Sequence, residues 1–165
     1  MFAVGILTIS DKGSKGERQD KSGEAIREVL TGMGVSIVNY DMVPDEKHVI
    51  AEKLVEWADR DNLDVVVTTG GTGLTPRDVT PEATLAVVDR IVPGFAEAMR
   101  AESLKKTPHA MLSRAVVGTR GKCLIINLPG SPKAVRECLE VILPALPHAV
   151  ETLKGQAGEC GAPEA

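Results

Sequence analysis

Aromatic side chains are scarce in this chain: one Trp, one Tyr and two Phe among 165 residues. Lys and Arg form no block, and the formal net charge is −4. A nucleic-acid surface needs phosphate-neutralising charge and stacking platforms, so these absences argue against one and point to a small partner. No apolar stretch is long enough to span a bilayer. The opening "MFAVGILTIS" lacks the basic segment of a signal peptide and runs directly into polar sequence. It reads as a first strand, and the chain is expected in the cytoplasm. Cysteine is sparse as well: Cys123, Cys138 and Cys160 are odd in number and widely spaced, which fits neither a disulfide framework nor a zinc set. They are expected to be structural or incidental. His48, His109 and His148 form no ligand pair, and no Ser or Cys sits in a nucleophile context, so acyl transfer is a poor reading.

What the chain does have is the composition of one globular domain, 43% hydrophobic and 25% charged. The expected domain covers residues 1–154, and "GQAGECGAPEA", with little to bury, is expected to fray over 155–165. Short runs rich in β-branched residues, "FAVGILTI", "VSIVNYDMV", "LDVVVTT" and "CLIINLP", predict buried strands. Helical spacing lies between them. The first helix carries Ala25, Ile26, Val29, Leu30 and Met33 on one face, with Ser22 as its cap and Gly34 as its stop. The second starts near Asp45 and buries Val49, Ile50, Leu54, Trp57 and Ala58. Thr80 before Pro81 starts a third over "DVTPEATLAVVDR", and a fourth covers Pro93 to Lys105. "RAVVGTRGKCLIINL" predicts two antiparallel strands about a Gly-Thr-Arg-Gly turn, hence a mixed sheet. From Pro132 to Leu153 the spacing is helical again, with Pro144 and Pro147 forcing a kink or restart. The class is α/β, in which ligands bind beyond the carboxyl ends of the strands.

Four loops should leave that edge. After the first strand come Ser10 and Asp11, then Asp20, Ser22 and Gly23. After the second comes Asp45, whose residue type equally suits a helix cap. The third is "TTGGTGLTPRD": Gly70, Gly71 and Gly73 permit positive φ and close approach of backbone NH groups to an anion, and Thr69 and Thr72 add hydroxyl donors. Glycines after a strand also serve a bare tight turn. The motif is neither GxxxxGK[ST] nor GxGxxG, so a Walker NTPase and a Rossmann dehydrogenase are unsupported. Asp78 follows beside Arg77. A carboxylate near a phosphate site is repelled unless a cation intervenes, so Asp78 suggests a Mg²⁺ bridge, with a cap role as the alternative. In the fourth loop, "NLPGSPKAV", Pro129, Gly130 and Ser131 lead into a helix whose free NH groups attract anions.

"TISD", "VPDE", "TTGGTGLTPRDVTPEAT" and "NLPGSPKAV", in that order, resemble the molybdopterin adenylyltransferase family, the MogA and MoaB proteins of molybdenum cofactor biosynthesis. The long central motif is the specific part. The resemblance implies a three-layer α/β/α domain with a mixed, mostly parallel sheet of about five strands, assembled as a homotrimer or hexamer. It implies attack of the molybdopterin terminal phosphate on the α-phosphorus of Mg-ATP, giving adenylylated molybdopterin and pyrophosphate, with a molybdenum insertase as possible recipient. By motif, Asp45 and Asp78 match the catalytic acids, Asp78 being the magnesium candidate. Thr69, Gly70, Gly71, Thr72 and Gly73 match the phosphate loop, Pro129, Gly130 and Ser131 the second binding loop, and Ser10 and Asp11 the strand end lining the pocket. Lys12 stands where some relatives carry a serine. Some members of the family bind the pterin without efficient adenylylation.

Overall fold

The apolar runs pair into one six-stranded sheet in the computed structural model, which describes residues 1–156 and 158. In chain order the strands are β1 (Ala3–Ile9), β2 (Ser36–Val43), β3 (Val65–Thr69), β4 (Arg90–Ile91), β5 (Val117–Arg120) and β6 (Cys123–Leu128). Their spatial order is β2-β1-β3-β6-β5-β4. The first four in that order run parallel; β5 pairs antiparallel with β6 and β4 antiparallel with β5, so β5 alone is reversed. Among the described residues seven α-helices flank them: α1 (Asp11–Ser14), α2 (Lys21–Thr31), α3 (Lys47–Val55), α4 (Thr80–Leu85), α5 (Pro93–Leu104), α6 (Pro132–Ile142) and α7 (Leu146–Leu153).

Alternation along the strands builds two cores. Val4, Ile6, Val65, Val67, Leu124 and Ile126 face α2, α5, α6 and α7, meeting Ile26, Leu30, Met99, Leu139 and Val150. Leu7, Ile9, Val66 and Ile125 face the other way, onto Ile50 and Leu54 of α3, Trp57, and Ala83 of α4. Both faces are covered, which is why the strands read as near-continuous apolar runs. Trp57 is a core residue, as its spacing predicts. It packs so closely on β1 that a Cβ at Gly5 would lie 2.7 Å from its ring. Cys123 and Cys138 are buried free thiols, and burial pushes Cys123 up to about 12, so both are structural. Among the described residues no helix is long and apolar enough to cross a membrane.

Several local expectations are corrected. The sheet has six strands rather than about five. The extra one is β4, two residues long and too short to show a period, formed where α4 stops at Leu85 instead of running on to Arg90. The cap of α2 is Asp20, whose Oδ1 accepts from Gly23 N at 2.9 Å. Ser22 instead lies inside the first turn and donates to Gly130 O at 2.5 Å. Met33 falls beyond α2, which ends at Thr31. Asp45 does not cap α3, which begins at Lys47 without a side-chain cap. The Thr80 hydroxyl caps nothing, because it donates to Gly70 O at 2.9 Å. Gly118, Thr119 and Arg120 belong to β5, so the hairpin turns at Gly121 and Lys122. Pro144 and Pro147 do break the last helical stretch, with a 3₁₀ turn at Leu143–Ala145. Cys160 and most of the tail expected to fray lie outside the described residues.

Candidate functional site

Four parallel strands end together, and their register decides which side chains meet. Thr8 pairs with Thr69, Thr69 with Leu128, and Ile9 with Val43. From β1 the chain passes to β2 on one side and then to β3 on the other, and a crevice opens where the loops leaving β1 and β3 diverge. It is a cavity of about 750 Å³, within the range of small-ligand sites. Thr8, Ser10, Asp20, Asp45, Thr69, Gly70, Gly71, Asp78 and Gly130 line it, together with Arg18, Lys21 and Ser22.

Each loop is held in place by bonds to its neighbours. At the β1 end the Ser10 hydroxyl accepts from Gly13 N at 3.0 Å and caps α1. Asp11 and Asp45 bond reciprocally: Asp11 N donates to Asp45 Oδ2 at 2.8 Å, and Asp45 N to Asp11 Oδ1 at 3.0 Å. The loops after β1 and β2 are thereby locked together. Arg77 ties in the third loop, donating to Asp11 Oδ2 at 3.0 Å, Asp11 Oδ1 at 2.9 Å and Glu46 Oε1 at 2.9 Å. The fourth is joined by Thr69 Oγ1 donating to Pro129 O at 2.7 Å. Ser131 Oγ accepts from Ala134 N at 3.2 Å and, with Pro132, starts α6 as its sequence predicts.

The glycines are required by sterics. Gly70 has φ +95, and a Cβ there would lie 2.4 Å from Ile9 O. Gly71 has φ +67, and its Cβ would lie 2.3 Å from Thr80 Oγ1. Only glycine fits either position.

The electrostatics separate two carboxylates on adjoining loops. The Arg77 guanidinium holds Asp11 below the usual carboxylate range, helped by the Asp45 amide. Asp45 is pushed up, first by burial and then by the charges of Asp11 and Asp78, against the opposing pull of the Asp11 amide. Arg77 is already committed to Asp11 and Glu46. Asp45 Oδ1 has no hydrogen-bond partner among the described residues, and Asp78 spends Oδ2 on Thr75 N at 3.0 Å. The cavity thus holds two ionisable carboxylates with free oxygens and no cation of their own.

Of the residues predicted from sequence, Ser10, Asp45, Thr69, Gly70, Gly71, Asp78 and Gly130 are brought together on this cavity. Asp11, Thr72, Gly73, Pro129 and Ser131 support it from behind: Thr72 is buried, with its carbonyl accepting from Arg114 N at 2.9 Å, and Gly73 O accepts from Arg114 Nε at 2.7 Å. Sequence reading named Asp20 in the first loop without giving it a role, and it missed Arg114. Asp20 accepts at once from Thr8 Oγ1 at 2.6 Å, from the Tyr40 hydroxyl and from Gly23 N, making it a polar hub on the cavity wall. Its position three residues before a glycine in a helix start was a usable signal. Arg114 lies 36 residues from Asp78 and gives no local signal at all.

The family model described as a probable molybdopterin binding domain matches residues 5–148. Molybdopterin adenylyltransferase of Helicobacter pylori strain J99 is 49% identical over 154 residues, covering 92% of this chain and 88% of that protein. The Escherichia coli K12 protein of the same name is 42% identical over 166 residues, covering 92% and 85%. Among solved structures, the molybdopterin biosynthesis enzyme MoaB from Thermus thermophilus superposes with a TM-score of 0.90 at 57% identity, covering 96% of this chain and all of that one. The chain belongs to the molybdopterin-binding domain family.

Proposed function

We propose that this member of the family is a molybdopterin adenylyltransferase of molybdenum cofactor biosynthesis, which joins the terminal phosphate of molybdopterin to the adenylyl group of Mg-ATP and releases pyrophosphate. The observation that carries the reading is the pairing, in one crevice, of backbone-rich glycine turns with the free carboxylates Asp45 and Asp78. Nucleotidyl transfer demands that arrangement. Its nucleophile is already an anion and needs no base, so the protein must position two polyanions in line and offset their charge.

Gly71 and the start of α6 offer NH groups to phosphate oxygens, while the Gly70 NH donates to Leu128 O at 3.3 Å, and Thr69 fixes the spacing between these two loops. Arg18 and Lys21, which have no ion pair among the described residues, add positive charge to the wall. The residues present fit magnesium arriving with ATP. Magnesium is commonly held by one or two carboxylates plus substrate phosphates rather than by an all-protein cage, and among the described residues no cluster of three or more His, Cys, Asp or Glu forms such a cage. Asp45 and Asp78 would hold the ion, which when bound neutralises charge on the transferring phosphates. The reading includes a homo-oligomer, trimer or hexamer, in the cytoplasm, with an insertase receiving the product.

The test is incubation of the purified protein with molybdopterin and Mg-ATP, followed by analysis for AMP attached to the pterin. Wild type should form it stoichiometrically with pyrophosphate. Asp78→Ala should lower turnover by at least about 100-fold, with thermal stability nearly unchanged because Asp78 holds only one loop amide through its side chain. Demonstrated pterin binding without any adenylylated product would overturn the enzyme reading in favour of a carrier.

A further inference from the structure

We infer that Arg114, outside the cavity, is a positioning residue for adenylyl transfer: it clamps the loop that carries Asp78 in the arrangement the reaction uses. The inference rests on the functional reading above, and it concerns a residue that none of the binding motifs contains.

Apart from the Arg77 side chain, bonded to Asp11 and Glu46, the loop from Gly71 to Val79 has few ties to the body of the domain. Leu74 is 63% exposed, and Thr75, Pro76 and Arg77 are exposed too. No strand or helix runs through it. Its internal bonds are Asp78 N to Thr75 O at 3.0 Å and Thr75 N to Asp78 Oδ2 at 3.0 Å, so the turn shapes the Asp78 carboxylate without anchoring it to the body. Arg77 tethers the exposed side of the loop, and the anchoring of its two ends comes from Arg114. Its backbone NH donates to Thr72 O at 2.9 Å, its Nε to Gly73 O at 2.7 Å and its Nη2 to Asp78 O at 2.6 Å. One residue therefore grips both ends of the excursion, and the planar guanidinium sets their separation, which a lysine ammonium could not do.

Arg114 is itself held on both sides. Its Nη1 donates to Glu82 of α4, whose carboxyl it keeps below the usual range. The backbone on either side is fixed from α5, where Arg100 Nη1 donates to Ser113 O at 3.3 Å and Ala115 O at 2.9 Å. Asn127, fully buried, accepts from Val116 N at 3.2 Å and donates to Thr68 and Thr84. The loop is thus referred through Arg114 to β3, β6, α4 and α5 together, the rigid support a site needs to keep a carboxylate within a fraction of an ångström.

Truncating Arg114 would leave Glu82 without its cation, and Glu82 Oε2 is already buried with no partner, so Arg114→Ala risks unfolding. Arg114→Lys keeps the charge and loses the fork. It should lower kcat for adenylyl transfer by about 10- to 100-fold while the Kd for molybdopterin changes less than about threefold. Independently of turnover, hydrogen exchange at the amides of Thr75, Asp78 and Thr80 should quicken by about tenfold or more, with β3 and β6 amides unchanged. Glu82→Gln, which keeps an acceptor oxygen, should move both readouts the same way but less, and it decides the matter if Arg114→Lys does not fold. Loop exchange at the wild-type rate, or acceleration spread evenly over the sheet, would overturn the clamp. Should wild type itself lack adenylylation, the exchange measurement still judges the clamp while the kinetic failure falls on the functional reading.

Discussion

Asp45 concentrates the conflict between stability and chemistry in one side chain. Burial and the neighbouring charges of Asp11 and Asp78 raise its ionisation in the folded protein above the range of an ordinary aspartate, near 3.9 in an unfolded chain. The unfolded chain therefore gives up this proton at lower pH than the folded one, and folding is penalised by the charge once pH has risen through the folded value. Below the unfolded value the penalty is absent. Asp45→Asn keeps an oxygen to accept from Asp11 N and removes the charge. It should raise Tm by a few degrees at neutral pH, and the gain should fade as pH falls through the Asp45 ionisation. On the proposed reading, in which Asp45 and Asp78 share a magnesium ion, the same variant should lose turnover by about 100-fold or more, since a neutral amide is a poor ligand for that ion. Asp11 behaves oppositely: Arg77 holds its carboxyl down, so its ion pair persists to lower pH than Asp45 stays charged. Acidification should accordingly abolish activity, read as kcat against pH, before the Asp11–Arg77 link opens. A substitution that leaves Tm below wild type across the whole pH range would contradict this account of Asp45.

At the scale of elements, the glycine loop after β3 is specified by close approach rather than by flexibility. Gly71 and Gly16 have nearly the same dihedral, φ +67 and +74, but different surroundings: a Cβ at Gly71 would strike Thr80 Oγ1, whereas nothing lies within 4 Å of one at Gly16. Gly16→Ala should cost about 1 kcal/mol from left-handed strain alone, with turnover intact. Gly71→Ala should cost more and lower kcat severely, because Thr80 must move and its bonds to Gly70 O and Gly71 O go with it. Denaturant melts and steady-state kinetics on the pair separate strain from collision. The same contrast explains what could be read in advance. Continuous apolar runs and helical stripes revealed β1, β2, β3, β6, α2, α3 and α6, because burial on both sides of a sheet leaves its mark in consecutive residues. β4 escaped because two residues carry no period. Caps were misread wherever a tertiary partner outbid the local one: Ser22 went to Gly130, Asp45 to Asp11 and Thr80 to Gly70. Those three are the contacts that close the crevice, so local rules failed where the site is assembled. Asp45 and Asp78 were visible through their motifs, while Arg114 and Glu82 were not, since nothing within a few residues of Arg114 points to a loop 36 residues away.

On the scale of the molecule, the two apolar cores are inseparable because each strand of the parallel sheet contributes alternate residues to both. Val65 and Val67 belong to one core and Val66 to the other, and Leu124, Ile125 and Ile126 divide in the same way. Loss of α3 and Trp57 from one face would strip half the sheet of its cover and leave the opposite core resting on strands open to water. A single cooperative transition follows, as for most single domains of about this size. Trp57, the sole tryptophan, sits in the core below α3, while most of the helical residues lie over the other face. Its fluorescence and the far-UV circular dichroism therefore sample opposite sides of the sheet. Their melting curves should coincide, in the free protein and in the presence of ligand. The crevice is formed by loops from four strands, so a ligand bound there stabilises the folded assembly as a whole. Mg-ATP at about 100 times its Kd adds about 2.7 kcal/mol, worth roughly 5–10 °C in a chain of this length, and both signals should shift together by that amount. A fluorescence transition that precedes the circular dichroism transition would mean that α3 and its core detach alone, and a shift confined to one signal would mean that the ligand does not bridge the four loops.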